Sequence, residues 1–270
     1  DPIDMKLVDF DYDGNLDIVI VHGNAETIKF YKGTGDGKFK EGQHLWEKFI
    51  YSGVGSGTAS YSPPEGIASP KQFEWADIDG NGYNQKISLY KVRNNSYLGI
   101  GDDYDISLED VVVYEGMTIG YFNNDSIPDI AFINGFSQVV VFLGHRQGGV
   151  YSLLKPKTYL DNSFGSTNYN NIEKGDFNND GWFDIYITNT PFSQISSIIG
   201  NVLLKNNGDG TFTNIATETG TSFNSLGWGS VFLDADNDGF LDLYVSSSLN
   251  GSSQFLSSAF YHQQNDETFI

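Results

Sequence analysis

Residues 234–246 read DADNDGFLDLYVS, an acidic turn followed at once by a short apolar run. The same phrase returns as DFDYDGNLDIVIV from residue 9 and as DFNNDGWFDIYIT from residue 176. Looser copies read DIDGNGYNQKISLY from residue 77 and YFNNDSIPDIAFI from residue 121. The five copies start about 56 residues apart on average, which indicates one structural unit repeated along the chain.

A second phrase follows the first at a similar distance. It reads FYKGTGDGKF ending at residue 39, LLKNNGDGTF ending at residue 212 and FYHQQNDETF ending at residue 269. Its Gly-Asp-Gly favours a turn between strands, because glycine adopts positive φ without steric cost. The apolar runs are short, rich in Ile, Val, Leu and Tyr, and nearly continuous, which predicts strands buried on both faces. The pattern therefore indicates an all-β protein.

The repeat has the size of a β-propeller blade. About 56 residues hold about four strands, so we expect four-stranded antiparallel blades within one domain over residues 1–270. The five visible repeats either close a five-bladed ring or form part of a seven-bladed one. Residues 40–71 contain YSGVGSG and SPP and are predicted to be an insertion loop.

Charge and composition exclude several functions. The chain has 15 Lys and Arg against 35 Asp and Glu, a net charge of −20, so a nucleic-acid partner is not expected. No apolar run approaches the roughly 18 residues of a membrane span, and we expect no membrane insertion. The absence of cysteine excludes disulfides and thiolate metal sites.

The acidic turns have the spacing of a cation-binding loop, D-x-D/N-x-D-G-x-x-D. Ca²⁺ takes six to eight oxygen ligands, and side chains at positions 1, 3, 5 and 9 with the carbonyl at position 7 supply such a set. Glycine at position 6 allows the sharp turn. The predicted ligands of the three complete loops are Asp9, Asp11, Asp13, Asn15 and Asp17 in loop 1, Asp176, Asn178, Asp180, Trp182 and Asp184 in loop 4, and Asp234, Asp236, Asp238, Phe240 and Asp242 in loop 5.

Two loops depart from this pattern. Position 9 of loop 2 is Gln85, and loop 3 begins with Tyr121 and has Ser126 in place of glycine. Their predicted ligands are Asp77, Asp79 and Asn81 in loop 2 and Asn123, Asp125 and Asp129 in loop 3. We therefore expect three Ca²⁺ sites and up to five. Mg²⁺ is disfavoured because it prefers small octahedral shells, and Zn²⁺ because the chain lacks cysteine and paired histidines.

The loops also predict where the protein works. They hold fifteen of the 35 acidic residues, whose mutual repulsion a bound cation would relieve, so metal is expected to stabilise the fold. Extracellular modules commonly bind Ca²⁺ with a Kd of roughly 10⁻⁴–10⁻³ M. Sites that weak would stay largely empty in cytosol, and we expect an extracellular, secreted or cell-surface protein.

The loop-plus-strand phrase resembles the FG-GAP/VCBS repeat of integrin α-subunit propellers and secreted bacterial proteins. The stretches NVLLKNNGDGTFTNIATETG and LGWGSVFLDADNDGFLDLYV are most similar to the cartilage acidic protein group. The resemblance implies a β-propeller, commonly seven-bladed, with structural Ca²⁺ in the hairpin loops. It also implies adhesion or ligand binding, although some family members are domains of polysaccharide-active enzymes. A structural role in an extracellular assembly is a separate expectation.

Catalytic signatures are missing from the sequence. We find no GxSxG, HExxH or Walker motif, and so predict no catalytic residues, no organic cofactor and no enzyme. The expected partner is a protein or glycan, with self-assembly possible. The alternative is a carbohydrate-binding or polysaccharide-active domain with its site in the central funnel.

Two residue types leave alternatives open. Trp75, Trp182 and Trp228 lie within or just before the acidic turns. Packing is the first interpretation and sugar stacking the second, with Trp182, directly after Gly181, as the best stacking candidate. His145 and His262 fall at similar places in the second phrase, which predicts equivalent turns rather than one shared site.

Overall fold

A computed structural model describes most of the chain. The described residues are 2–9, 13–22, 27–45, 67–82, 85–92, 95–100, 104–108, 113–134, 138–159, 169–190, 200–223, 225–247, 258–264 and 268–270. They form antiparallel β-strands joined by turns and bends, with no helix among them, which confirms the all-β prediction. Within these ranges no segment is a helix long and apolar enough to cross a membrane.

The chain divides into two compact units, Asp1–Val112 and Val113–Ile270. The first unit contains two four-stranded sheets whose strand order follows the sequence. Its strands are β1 (Pro2–Val8), β2 (Asp17–His22), β3 (Thr27–Gly33), β4 (Phe39–Leu45), β5 (Ile67–Ala76), β6 (Gln85–Val92), β7 (Asn95–Ile100) and β8 (Tyr104–Leu108). The interpretation of residues 1–270 as one domain stays a prediction.

The second unit continues the same plan. Its sheets have the orders β14-β11-β10-β9, β15-β16-β17-β18 and β19-β20-β21, with a separate hairpin β12-β13. The strands are β9 (Val113–Gly120), β10 (Asp129–Asn134), β11 (Val139–Phe142), β12 (Gly144–Gln147), β13 (Val150–Leu153), β14 (Lys157–Tyr159), β15 (Tyr169–Gly175), β16 (Asp184–Asn189), β17 (Val202–Asn206), β18 (Phe212–Asn214), β19 (Gly227–Leu233), β20 (Asp242–Ser247) and β21 (Ala259–Tyr261).

Each sequence repeat corresponds to one sheet. The acidic turn joins the first strand to the second in all five sheets, and the ninth loop residue is the first residue of the second strand. In β10 and β16 every residue is buried, as the continuous apolar runs predict. The reason is that these strands lie in the middle of their sheets and carry apolar side chains on both faces.

The core of the second unit lies between successive sheets. One cluster joins Ile133 and Val141 of the sheet containing β10 to Ile172, Ile187 and neighbouring residues of the sheet containing β16. A second cluster contains Tyr186 and Leu203 from the sheet of β16, together with Leu243 and Val245 of β20. Sheet-on-sheet packing of this kind accounts for strands that lack a polar side.

The predicted insertion at 40–71 is only partly described. Its ends belong to β4 and β5, which reach residue 45 and begin at residue 67. Residues 46–66 lie outside the described residues, so an insertion there stays a prediction.

Candidate metal centres in the acidic hairpin loops

The first aspartate of each complete loop holds the turn together. In loop 4, Asp176 Oδ1 accepts a hydrogen bond from the Asp180 amide at 3.0 Å and Oδ2 accepts one from the Gly181 amide at 3.0 Å. Gly181 has a φ of 91°, in the left-handed region that glycine adopts without strain. The loop therefore wraps around the carboxylate at position 1.

The same two bonds recur in three other loops. Asp9 accepts from Asp13 and Gly14 at 3.0 and 2.9 Å, Asp77 from Asn81 and Gly82 at 3.0 and 2.9 Å, and Asp234 from Asp238 and Gly239 at 3.0 and 3.1 Å. Loop 2 thus has the same two hydrogen bonds to its first aspartate although its ninth residue is glutamine. Loop 3 has no carboxylate at position 1, yet Ser126 still takes a φ of 57°.

The aspartate at position 9 is buried and bonded on both oxygens. Asp184 is fully buried; its Oδ2 accepts from the Phe177 amide at 3.1 Å and its Oδ1 from the Asn206 amide at 2.8 Å. Asp129 and Asp242 accept equivalent pairs of amides. These acids tie the loop to the end of the third strand, a structural role that spacing alone did not reveal.

Burial makes two of these carboxylates costly to ionise. It raises the pKa of Asp184 to about 7 against the pull of its two amide bonds, with Asp180 and Asp176 adding to the rise. It likewise raises the pKa of Asp129 to about 6. A cation beside either carboxylate would favour the ionised form, so metal binding there would lower these two pKa values.

The side chains at positions 3 and 5 contact each other or nearby bases. Asn178 Nδ2 donates to Asp180 Oδ2 at 2.8 Å, and Lys32 Nζ lies 2.7 Å from Asp13 Oδ2 in loop 1. The Lys32 ammonium holds the pKa of Asp13 below its ordinary value. Amide and ammonium groups partly neutralise the carboxylates and so stabilise the loops in this conformation. A bound metal would have to displace those donors.

The predicted ligands at position 7 serve the loop in another way. The amides of Asn15, Trp182 and Phe240 each donate to the position-5 aspartate at 2.9 Å. Ligation through their carbonyls stays a prediction. Asp11 lies outside the described residues.

Loop 5 differs from the others because a histidine joins it. One carboxylate oxygen each of Asp236 and Asp238 and one ring nitrogen of His262 lie within 4.8 Å of one another. His262 Nδ1 is 2.9 Å from Asp242 Oδ1, and Nε2 is 3.8 Å from Asp236 Oδ2. The Asp242 bond raises the pKa of His262. Burial raises the pKa of Asp242, but hydrogen bonds from the Gln263 amide and His262 outweigh burial and lower it overall.

The two histidines of the second phrase do not occupy equivalent places. The backbone amides of Gly144 and Gln263 each donate a hydrogen bond to the aspartate at loop position 9. His145 follows Gly144 in the chain, whereas His262 precedes Gln263. The sequence interpretation was wrong here because it aligned the phrases by their turns. In the structure Leu243 pairs with Tyr261, which places His262 opposite Asp242; the sequence pattern contained no signal for this pairing.

The donor chemistry of the loops fits a hard cation. Carboxylate and amide oxygens dominate loops 1, 4 and 5, and each carboxylate oxygen that accepts one hydrogen bond retains a second lone pair. Ca²⁺ prefers such oxygens and tolerates irregular geometry. The residues present therefore suit the calcium that the repeat pattern predicts.

Comparison with known proteins identifies a family and several similar folds. A family model described as FG-GAP-like repeat matches residues 9–84, 121–187 and 191–245. No curated protein matches the sequence. The solved structures that resemble the chain include a Bacillus licheniformis rhamnogalacturonan lyase, at 14% identity and a TM-score of 0.51 over 100% of this chain and 50% of that one. Rhamnogalacturonan lyase YesW resembles it at 14% identity and a TM-score of 0.52 over 99% and 49% of the two chains.

These similarities correct the prediction that the chain is not an enzyme. The chain spans about half the length of either lyase. The prediction that the chain is not an enzyme is overturned, because enzymes are among the proteins that share its fold. That prediction rested on missing motifs, and a reaction that uses none of those motifs leaves no such signal in the sequence.

Proposed function

The chain belongs to the FG-GAP-like repeat family, and on that premise we propose that it forms a calcium-stabilised β-propeller. The observation that carries the proposal is the recurrence of one hydrogen-bonded loop at Asp9, Asp77, Asp176 and Asp234. In every case the loop joins the first strand of a sheet to the second. Because the same acidic turn occurs at the same place in successive sheets, we infer that these turns share one role, which is cation binding.

Sheet geometry supports the propeller part of the proposal. Three sheets of the described chain are four-stranded meanders in sequence order, as propeller blades are. In the second unit, successive sheets pack apolar faces together around Ile187 and Tyr186. On this proposal each sheet is one blade, and the acidic loops are the calcium-binding hairpins of the blades.

Electrostatics supports calcium as the stabilising ion. The net charge is −20, and the acidic loops hold fifteen of the 35 acidic residues. A cation bound only in the folded state stabilises that state by RT ln(1 + [L]/Kd). With a Kd of roughly 10⁻⁴–10⁻³ M and about 10 mM Ca²⁺, each site contributes about 1–3 kcal/mol. Sites with the affinity typical of extracellular modules fill only outside cells, and on that assumption we propose an extracellular location.

Denaturation with and without calcium tests the proposal. Thermal midpoints are measured in EGTA and in about 10 mM Ca²⁺; we expect a higher midpoint with calcium. Asp176→Asn should reduce the gain, because its oxygens lie at the first ligand position of loop 4. Asp209→Asn is the matched control, since Asp209 lies outside the acidic loops in the turn before β18. Equal midpoints in EGTA and calcium would refute calcium stabilisation.

For the ligand, we propose an extracellular polysaccharide. The structures similar to this chain include two rhamnogalacturonan lyases, and their names supply the class to test first. Trp228 at the start of β19 is 57% exposed, which makes it available for stacking on a sugar ring. The exposed indole favours the stacking alternative over packing for this tryptophan.

Two assays separate binding from turnover. The full chain is applied to a glycan array and incubated with rhamnogalacturonan, and the appearance of new unsaturated ends is followed. Binding that Trp228→Ala weakens without changing the thermal midpoint supports a polysaccharide ligand; new unsaturated ends assign a lyase. A chain that neither binds nor cleaves any glycan would rule out the polysaccharide proposal.

A protein ligand or self-assembly is the second candidate. Val231, Tyr244 and Phe260 are paired across the three strands of the last sheet and are 43%, 39% and 50% exposed. An exposed apolar row of this kind favours contact with another protein surface. Sedimentation at increasing protein concentration distinguishes self-assembly from a monomer.

A further inference from the structure

The position of His262 has an equivalent in the three other repeats whose aspartate anchor the structure describes, but the histidine side chain does not. In four sheets the residue after this position donates its amide to the buried aspartate at loop position 9; the four donors are Gly33, Gly144, Asn206 and Gln263. The residues before them are therefore equivalent, and they are Lys32, Leu143, Lys205 and His262. Loop 5 alone of these four places an imidazole at this position.

The imidazole is oriented by a buried carboxylate. Asp242 is 1% exposed and its Oδ1 lies 2.9 Å from His262 Nδ1. An ionised carboxylate only accepts hydrogen bonds, so Nδ1 carries the hydrogen of this contact. The lone pair of neutral His262 is then on Nε2, which is the nitrogen nearer Asp236. Metal-binding histidines in proteins are commonly held in this way by a carboxylate on the other ring nitrogen.

The three ligand atoms lie together beside loop 5, and one pair already has the separation that a shared ion requires. The exposed carboxylate of Asp238 would complete the site by a small rotation. Atoms of Asp236, Asp238 and His262 lie within 4.8 Å of one another, and all three residues are at least partly exposed. First-row transition metals bind nitrogen and oxygen at about 2.0–2.2 Å, so two ligands of one ion lie at most about 4.4 Å apart. The His262–Asp236 separation of 3.8 Å falls within that limit.

We propose that loop 5 is a mixed nitrogen–oxygen site, in which His262 Nε2 joins Asp236 and Asp238 to bind a divalent transition metal. This inference deepens the proposed function and rests on loop 5 being a cation loop. Imidazole suits Zn²⁺ and its neighbours in the first transition row, whereas Ca²⁺ favours oxygen. Loop 1 cannot bind metal in this way, because Lys32 at the equivalent position offers an ammonium group, which has no lone pair to give.

Cobalt titration of the full chain tests this site without any activity assay. Co²⁺ is added to the calcium-loaded protein while its visible absorption and binding isotherm are recorded, and Zn²⁺ is then used to displace it. We expect one site that calcium does not fill and whose affinity falls about tenfold or more in His262→Gln. His262→Lys recreates the pairing that loop 1 uses, so this variant should fold normally and lose the site.

His145→Gln is the matched control, because His145 is exposed on β12 and follows the loop-3 donor Gly144, whereas the position equivalent to His262 precedes that donor. Unchanged cobalt affinity in both His262 variants, or an equal loss in His145→Gln, would overturn the inference. Calcium stabilisation with no cobalt site would leave the proposed function standing and reject the inference alone. Cobalt binding lost in His262→Gln, without any calcium stabilisation, would reject calcium and retain the mixed site.

Discussion

Replacing Asn206 by alanine should remove a hydrogen-bonded link between two neighbouring sheets and lower the stability of the fold. Asn206 is 1% exposed, and its Nδ2 donates to the Phe122 carbonyl of loop 3 and to the Phe183 carbonyl of loop 4, each at 3.1 Å. Its Oδ1 accepts from the Gly208 amide at 2.9 Å. The side chain therefore bridges one repeat to the next.

The magnitude follows from the three bonds that are lost. Each contributes about 1 kcal/mol, and more where a buried partner finds no water, so Asn206→Ala should lower the free energy of unfolding by about 3 kcal/mol. The backbone amide of residue 206 still donates to Asp184, so the loop anchor is retained. With a urea m-value of about 3 kcal/mol/M, the denaturation midpoint should fall by about 1 M.

The chain offers a matched control at the next residue. Asn207 is exposed and donates from Nδ2 to Thr211 Oγ1 at 2.9 Å, so Asn207→Ala should cost about 0.5 kcal/mol or less. Urea unfolding is followed by circular dichroism and by tryptophan fluorescence in saturating calcium. If the two alanine variants unfold at the same urea concentration, the buried amide does not bridge the sheets energetically.

Two further predictions concern pH and backbone contact. In the folded protein the pKa of Asp184 is about 7, above the ordinary 3.8, so the protonated carboxyl favours the folded state and the ionised one does not. In EGTA, raising the pH from about 5 to 7 should therefore lower the free energy of unfolding by about 2 kcal/mol through this carboxyl. Urea midpoints at both pH values should show this slope in the native chain. Asp184→Asn should lose about 2 kcal/mol of it and retain the smaller part that comes from Asp129, whose pKa is raised to about 6; an undiminished slope would exclude Asp184 as a source. Gly144→Ala should cost roughly 1–3 kcal/mol, since its Cβ would lie 2.2 Å from the Pro128 carbonyl oxygen, whereas in the control Gly229→Ala the nearest atom is Ser246 Oγ at 3.2 Å. Equal melting of these two alanine variants would contradict the steric argument.

Local pattern was sufficient for the strands and for the turn chemistry. The runs after Asp129 and Asp184 are apolar on both faces, and both became central, fully buried strands. Position 6 needs a left-handed residue in every loop, and its φ is positive at Gly14, Gly181 and Gly239. Sequence reveals such features because backbone geometry over a few residues depends on those residues themselves.

Contacts between distant segments were not visible in the same pattern. The acids at position 9 were interpreted only as metal ligands, yet Asp184 also binds the amide of Asn206, 22 residues away. His262 approaches Asp236 only because β21 pairs with β20. Pairing register depends on which strands meet, and that is decided by burial over a whole sheet rather than by adjacent residues.

The sequence by itself therefore determined the repeated unit, its β character and its oxygen-rich loops, because each depends on residues close together in the chain. Tertiary structure decided which loops acquired a basic neighbour. Lys32 contacts Asp13, and His262 contacts Asp242. Both contacts form because the third strand of each sheet ends beside the acidic loop that precedes the second strand. The electrostatic character of each loop is thus set by a residue that hydrogen-bonded pairing, rather than sequence proximity, brings to it.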